Sequence, residues 1–298
     1  DTSKLARNRK MSAGRSIAEG LALVRAKVAA LAKEVGSNPR LVAVSKIMPV
    51  EVVMEAYKEN QRHFGENYVQ ELCEKAPQMP SDIKWHFIGN LQSNKAKNLV
   101  KEVPNLFVVE SVDSVKIANA LDKACVSAGR TELLNVMVQV NTSKEESKSG
   151  CEASEATTIA SHITTDCKRL KLVGLMTIGK LGDPNPEPYF KQLAAVRQEV
   201  EAALKLPANS LDLSMGMSGD YELAIRMGST NVRVGSTIFG ARPKKDATPA
   251  SGGGAAAAGG GVVKFEGGAM SWVGGWQGAA AITALATVTL ALLAARRA

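Results

Sequence analysis

The stretch Leu41-Val42-Ala43-Val44-Ser45-Lys46 is an apolar run of strand length that closes on an amine. A lysine delivered by the carboxyl end of a strand stands at the mouth of a barrel or an open sheet, where parallel α/β folds place their chemistry. How often the pattern recurs decides between the two.

Upstream, Ile17, Leu21, Val24, Val28, Leu31 and Val35 recur at three- and four-residue spacing and Gly36 follows, so residues 16–35 read as an amphipathic helix in need of a surface to cover. Downstream, short apolar runs predict strands at 41–46, 63–67, 85–89, 106–110, 136–141, 172–178, 211–215 and 231–235. Helical patterns lie between them at 49–59, 69–75, 94–101, 114–128, 154–166, 187–204 and 220–227. Short strands alternating with helices call for parallel pairing through right-handed crossovers. Eight repeats in about 200 residues fit a closed (β/α)8 TIM barrel better than an open doubly wound sheet. No Gly-x-Gly-x-x-Gly follows the first strand, which weakens a dinucleotide-binding alternative. A barrel gathers the polar residues at its strand ends into one site: Lys46, Asn67, His86, Asn141, Thr177, Ser214, Arg233 and Ser236.

Composition agrees with a large packed domain: 298 residues, 45% hydrophobic and 22% charged. The net charge of +8 raises the question of nucleic acid. Much of the excess sits at the two ends, in Lys4, Arg7, Arg9, Lys10 and Arg15 and in Lys264, Arg296 and Arg297; the middle carries a mild surplus with few aromatics, which argues against a nucleic-acid partner. Cys73, Cys125, Cys151 and Cys167 are widely spaced without a C-x-x-C, and His63, His86 and His162 are scattered. That pattern predicts reduced thiols in a cytoplasmic or organellar-matrix compartment and offers no metal-ligand spacing.

Four regions follow. Residues 1–15 are basic and unpatterned, a disordered leader or the remnant of a targeting peptide. Residues 16–245 hold the barrel, and 246–266 form a linker rich in Gly and Ala. Residues 267–298 are a candidate membrane anchor: the segment 279–295 is wholly uncharged, with Trp272 and Trp276 at one end and Arg296-Arg297 at the other. The alternative is an Ala-rich helix packed on the barrel or on a second subunit.

Most lysines at strand ends are simply solvated. Lys46 differs in ending an apolar strand while two loops elsewhere suit a phosphate: Leu213-Ser214-Met215-Gly216-Met217-Ser218 after the seventh strand and Val232-Arg233-Val234-Gly235-Ser236-Thr237 after the eighth. Glycines admit close backbone approach, hydroxyls and free N–H groups donate to phosphate oxygens, and barrels bind phosphate at those two loops. The first and eighth strands are neighbours in a closed barrel. A partly desolvated amine there becomes nucleophilic toward an aldehyde, so the site suits a phosphorylated aldehyde, with pyridoxal 5'-phosphate (PLP) the foremost candidate.

The segments LVAVSK (41–46), RHFGENYVQEL (62–72), WHFIGNLQSNK (85–95), VNTSKEESKSG (140–150), GLMTIG (174–179), LSMGMSGDYELAI (213–225) and GSTNVRVGSTIFGAR (228–242) together resemble the pyridoxal phosphate homeostasis family, whose fold is that of the alanine racemase amino-terminal domain. The resemblance covers about residues 16–243. It implies that Lys46 holds PLP as an internal aldimine, that Asn67 lies beside the ring, and that Ser214, Gly235 and Ser236 cradle the phosphate. Arg233 matches an arginine at the cofactor, meeting either the pyridine nitrogen or the phosphate. His86 reads as a core histidine bonded to backbone, Thr177 and Met176 as pocket wall, and residues 93–95 as a helix start.

The same barrel supports an amino-acid racemase of the alanine racemase type. Racemisation needs two bases on opposite faces of the cofactor, and by resemblance the second is a tyrosine of a separate β domain. The 55 residues after Pro243 contain neither Tyr nor His and no strand pattern. The expectation is therefore a monomeric PLP carrier that buffers the cofactor and supplies apo forms of PLP-dependent enzymes, without amino-acid turnover.

Overall fold

The computed structural model describes residues 15–145, 149–180 and 182–240. Its strands are β1 (Arg40–Val44), β2 (His63–Glu66), β3 (Lys84–Phe87), β4 (Leu106–Val112), β5 (Leu134–Gln139), β6 (Leu170–Met176), β7 (Asp212–Ser214) and β8 (Asn231–Val234). All pair in parallel and in chain order, and β1 meets β8 in the register Arg40↔Asn231 to Ala43↔Val234, so the sheet closes into the expected barrel. The helices are α1 (Ile17–Val35), α2 (Val50–Lys58), α3 (Val69–Lys75), α4 (Ala96–Glu102), α5 (Val115–Ser127), α6 (Ala153–Thr165), α7 (Glu187–Ala203), α8 (Tyr221–Arg226) and α9 (Ser236–Phe239).

Helix α1 begins at a capping box, in which the Ser16 hydroxyl accepts from Glu19 N–H and the Glu19 carboxylate accepts from Ser16 N–H. It stops at Gly36, whose φ of 67° is the left-handed conformation that ends helices. Ile17, Leu21, Val24, Val28 and Leu31 are buried as their spacing predicts, each worth about 1.5–3 kcal/mol. Val35, at the last helical position, is 38% exposed and lies off the buried stripe.

Alternation along the strands separates two interiors. Ala43, Phe64, Trp85, Phe87, Val136, Val138, Leu213, Val232 and Val234 join the helices in the main hydrophobic core. Val108, Met137 and Met176 form a second, small cluster inside the barrel, backed by Phe107 and Val173. Barrel interiors are ordinarily filled with layers of branched aliphatic residues. Here His86, Glu110, Ser214, Asn231 and Arg233 take much of that space, and all are buried.

Most strands end one or two residues before the apolar runs do, because ladder pairing stops before apolarity does. The last β1–β2 pair is Val44↔Gly65; Ser45 N–H still reaches Gly65 O at 3.0 Å, and Ile47 at φ 66° then turns the chain. Lys46 therefore stands on a turn two residues past β1, not at the end of the strand. Residues 93–95 form a 3₁₀ turn leading into α4, with no side-chain cap bond at its start. Among the described residues no helix is long and apolar enough to cross a membrane. The linker 246–266, the candidate anchor 267–298 and all of 1–14 lie outside the described residues.

Candidate functional site

Lys46 lines a cleft at the carboxyl end of the barrel together with Val44, Met48, Gly235, Ser236 and Gly240. The pairing of β1 with β8 brings these residues together, as strand adjacency in a closed barrel requires. The β1–β2 pairing ends at Val44↔Gly65, and Asn67 is the first residue after β2. The backbone of Asn67 is held by close packing: a Cβ on Gly89 would stand 1.9 Å from Asn67 O, so no other residue fits there. Asn67 Oδ1 is buried with no hydrogen-bond partner among the described residues. A buried orphan acceptor is costly unless something supplies a donor.

At the β8 side, Gly235 N–H donates to Ser218 Oγ at 3.1 Å, and Ser236 opens α9. Three small residues thus converge above the end of β8.

Behind the turn that bears Lys46, away from the barrel interior, lies a polar cluster. Ser45 Oγ donates to Glu66 Oε1 at 2.6 Å, and Lys75 Nζ donates to Glu66 Oε1 at 2.6 Å, to Ser45 O at 3.1 Å and to Glu71 Oε1 at 2.8 Å. Glu71 Oε1 also accepts from Ile47 N–H at 2.6 Å. Burial pushes the Glu66 carboxyl up to about 7, against the lowering pull of Lys75.

Beneath the cleft, one chain of hydrogen bonds crosses the barrel interior. His63 Nδ1 lies 2.8 Å from His86 Nε2, and His86 Nδ1 lies 2.5 Å from Glu110 Oε1. Ser214 Oγ donates to Glu110 Oε2 at 2.5 Å and accepts from Arg233 Nη1 at 2.5 Å and from Asn231 Nδ2 at 3.0 Å. Arg233 Nη2 donates to Thr177 O at 2.7 Å. Burial works to raise the Glu110 carboxyl, but the hydrogen bond from His86 and the charge of Arg233 outweigh it and hold it below the usual range. Burial also drives both rings toward neutrality, and His63 is pushed down to about 3, with His86, Arg40 and Lys84 adding repulsion. With Glu110 ionised and both imidazoles neutral, the protons point one way: His63 Nδ1–H donates to His86, and His86 Nδ1–H donates to Glu110. His63 and His86 meet the Phe107 ring at 5.2 and 5.3 Å, and Arg40 and Lys84 stand over it. An open depression beside Lys84, Phe107 and Arg130 lies at the strands' amino-terminal ends, the face opposite Lys46.

Of the residues expected at the site, Lys46, Gly235 and Ser236 share the cleft, and Asn67 directly follows β2, past the last β1–β2 pair. Ser214 and Arg233 are bonded to each other inside the barrel. A serine hydroxyl has one donor and two acceptor positions, and those of Ser214 are filled by Glu110, Arg233 and Asn231. Ser218, part of the same quoted loop but not singled out, has its hydroxyl at the Gly235 rim instead. His86 is a core histidine, as read, but it is bonded to side chains rather than backbone. Thr177, read as pocket wall, is buried between strands; its Oγ1 donates to Val140 O at 2.9 Å and its carbonyl receives Arg233. Met176 belongs to the interior cluster. Sequence reasoning missed Glu110, Glu66 and Lys75, although charged residues within buried stretches are signals in themselves.

The family described as "Alanine racemase, N-terminal domain" matches residues 21–243. The human pyridoxal phosphate homeostasis protein is 52% identical over 221 residues, 71% of this chain and 80% of its own length. The Escherichia coli K12 protein of the same name is 41% identical over 237 residues, 76% of this chain and 97% of its own. Among solved structures, PipY of Synechococcus elongatus PCC7942 with PLP bound superposes with a TM-score of 0.64 at 34% identity, covering 76% of this chain and all of PipY. Alanine racemase from Corynebacterium glutamicum shares the fold, with a TM-score of 0.55 at 15% identity over 78% of this chain and 62% of its own. With a matching barrel, matching family segments and relatives this similar over most of their length, the chain belongs to the pyridoxal phosphate homeostasis protein family.

Proposed function

We propose that this chain binds PLP in the Lys46 cleft, holds it covalently on Lys46, and serves PLP homeostasis by buffering the cofactor and delivering it to apo-enzymes, without turning over amino acids. The observation that carries this reading is that Lys46, Gly235 and Ser236, which lie far apart in sequence, line one cleft where β1 meets β8. The orphan Asn67 Oδ1, just past the end of β2, offers an acceptor for a polar group of the ligand.

PLP supplies an aldehyde that condenses with a primary amine, forming C=N and releasing the carbonyl oxygen as water. The residues divide the remaining work. Lys46 gives up one ammonium proton to solvent and presents its lone pair. Gly235 N–H holds Ser218 Oγ at the rim, and the Ser236 backbone N–H with the hydroxyls of Ser218 and Ser236 would meet the phosphate. Arg233 lies two residues back along β8 from this rim and is anchored on Ser214 and Thr177, and on this reading it would serve the pyridine end of PLP rather than the phosphate. An arginine does not surrender its proton, so a pyridine nitrogen facing it stays unprotonated and the ring withdraws electrons weakly. Ser214 acts through Arg233.

Absence of turnover draws support from three of the four tyrosines, Tyr57, Tyr189 and Tyr221. A hydrogen bond to Asp82 raises the Tyr57 phenol, a bond to Asp183 raises Tyr189, and burial raises Tyr221, so each is held toward its neutral form and away from service as a base.

The test is to titrate the protein with PLP, trap with borohydride, map the modified peptide, and incubate with L- or D-alanine while following chirality. The expected result is label on Lys46, none in Lys46→Ala, and no interconversion. Label elsewhere overturns the site, and rapid interconversion identifies a racemase. Delivery is read by reactivation of an apo-enzyme. Cell fractionation with and without residues 267–298 tests the anchor, with unchanged distribution removing it, and light scattering tests the monomer.

A further inference from the structure

The turn that carries Lys46 is held on both sides by groups that never touch the cleft. On its amino side, Ser45 is gripped twice: its hydroxyl donates to Glu66 Oε1 and its carbonyl accepts from Lys75 Nζ. On its carboxyl side, Ile47 N–H donates to Glu71, and Glu71 is in turn held by Lys75. Glu66 and Lys75 are almost wholly buried on the outer face of β1 and β2, behind the sheet as seen from Lys46.

Stability alone does not account for this cluster. Replacing a buried ion pair with well-packed apolar side chains is often neutral or stabilising, because removing two charges from water costs about as much as their attraction returns. Nor is the pair fully satisfied, since Glu66 Oε2 has no hydrogen-bond partner among the described residues. The turn itself is strained. Ile47, a β-branched residue, sits at φ 66°, a conformation that costs on the order of 1–3 kcal/mol and persists only where surrounding contacts enforce it. The enforcing contacts are those of Glu71 and Lys75. An unfavourable turn held by a costly buried pair, directly behind the Lys46 amine, serves geometry.

We infer that Glu66 and Lys75 are positioning residues for Lys46: by fixing Ser45 and Ile47 from behind the sheet, they aim its amine along the line from which it attacks the carbonyl carbon of its ligand. This rests on the reading of Lys46 as the PLP-binding amine. Condensation requires approach within a narrow range of distance and angle, and a misplacement of about 1 Å costs up to about a hundredfold in rate. Binding that does not pass through the amine has no such requirement.

The experiment uses the full chain as wild type, Glu66→Gln, Lys75→Met, the double variant Glu66→Leu/Lys75→Met, Glu71→Gln and Lys46→Ala. Three quantities are measured on each: the rate of borohydride-trappable label at Lys46 after mixing with PLP, the affinity for pyridoxamine 5'-phosphate, which lacks the aldehyde and cannot condense, and the thermal midpoint. The double variant removes both charges together, so it stays folded where a single variant leaves a buried charge alone. Its labelling rate is expected to fall by about tenfold or more, with pyridoxamine phosphate affinity and thermal midpoint near wild type. Glu71→Gln, at the solvent side of the cluster, is expected to slow labelling less, and Lys75→Arg to restore part of what Lys75→Met loses. Wild-type labelling rates in the double variant and in Glu71→Gln overturn the inference, as does a loss of labelling that pyridoxamine phosphate affinity follows in proportion. If wild type shows no Lys46 label, or Lys46→Ala labels equally, the assignment of Lys46 falls first and the inference with it.

Discussion

Glu110 on β4 and Ser214 on β7 meet across the barrel interior although 104 residues separate them, with Ser214 Oγ 2.5 Å from Glu110 Oε2. Through that hydroxyl the carboxylate reaches Arg233, so a buried cation and a buried anion share one neutral bridge. Removing one partner of such a pair leaves the other charge uncompensated. Glu110→Ala is therefore expected to cost about 3–5 kcal/mol in urea unfolding. Glu110→Gln keeps the shape and part of the hydrogen bonding and is expected to cost less. Equal, small losses for both substitutions show that Arg233 finds another counter-charge.

The two serines of the β7 loop are expected to separate stability from binding. Ser214→Ala removes the bridge between Arg233 and Glu110 and leaves buried groups unsatisfied, a loss of about 1–3 kcal/mol read by denaturation. Ser218→Ala deletes a hydroxyl at the Gly235 rim and is expected to leave the unfolding midpoint near wild type while weakening PLP several-fold in equilibrium dialysis. The reverse pattern, with Ser214 governing affinity and Ser218 stability, returns Ser214 to direct phosphate contact.

The barrel was legible because eight apolar runs alternate with helical periodicity, and that is a local property. The cleft was legible for a related reason: closure makes β1 and β8 neighbours, so Lys46 and Gly235-Ser236 converge by topology. Glu110 was not. It sits in the run 106–110 as an ordinary polar residue at the end of a strand, and only the continuation of β4 to Val112 buries it. Its partners come from β3, β7 and β8, and no sequence spacing announces them. Glu66 offered a clearer hint. It alternates with Phe64, so it faces the helix layer, where a charged residue requires a partner. The partner, Lys75, looks like any basic residue in the last turn of a helix. Ser214 and Ser218 are alike in sequence, and the alternation that turns Ser214 inward becomes visible only once β7 is known to end there.

His63 stays neutral in the folded protein down to about pH 3, while in the unfolded chain it takes up a proton near its ordinary value of 6.5. Between those values the unfolded state binds more protons, so stability is full above about pH 6.5 and declines as pH falls toward 3. Glu66 works in the opposite sense over its own window. Its folded value of about 7 lies above its ordinary value of 4.5, so it favours folding at low pH and loses that contribution as pH rises from 4.5 through 7. His63→Gln is expected to flatten the acid side of a plot of urea midpoint against pH, and Glu66→Gln to steepen it. Parallel curves for wild type and His63→Gln place the acid sensitivity elsewhere.

Helix α1 packs against the Ser236 side of the cleft through Gly20. A Cβ at that position would stand 2.8 Å from Thr237 O and 2.9 Å from Ile238 O, both in α9, which begins at Ser236. Replacing a helical glycine with alanine ordinarily stabilises by about 0.5–1 kcal/mol. At Gly20 the new methyl meets backbone that has to shift, and overpacking of this kind costs about 1–3 kcal/mol, so the sign of the effect reverses. Because the displaced segment follows Gly235 directly, Gly20→Ala is expected to weaken PLP several-fold as well as to lower the thermal midpoint. Ala30→Gly, on the exposed face of the same helix, lowers stability by a comparable amount through helix propensity, without touching α9, and is expected to leave PLP affinity unchanged. If both variants weaken PLP in proportion to their loss of stability, the helix acts on the cleft only through the global fold. If Gly20→Ala alone does so, the contact with α9 is what holds the loop in place.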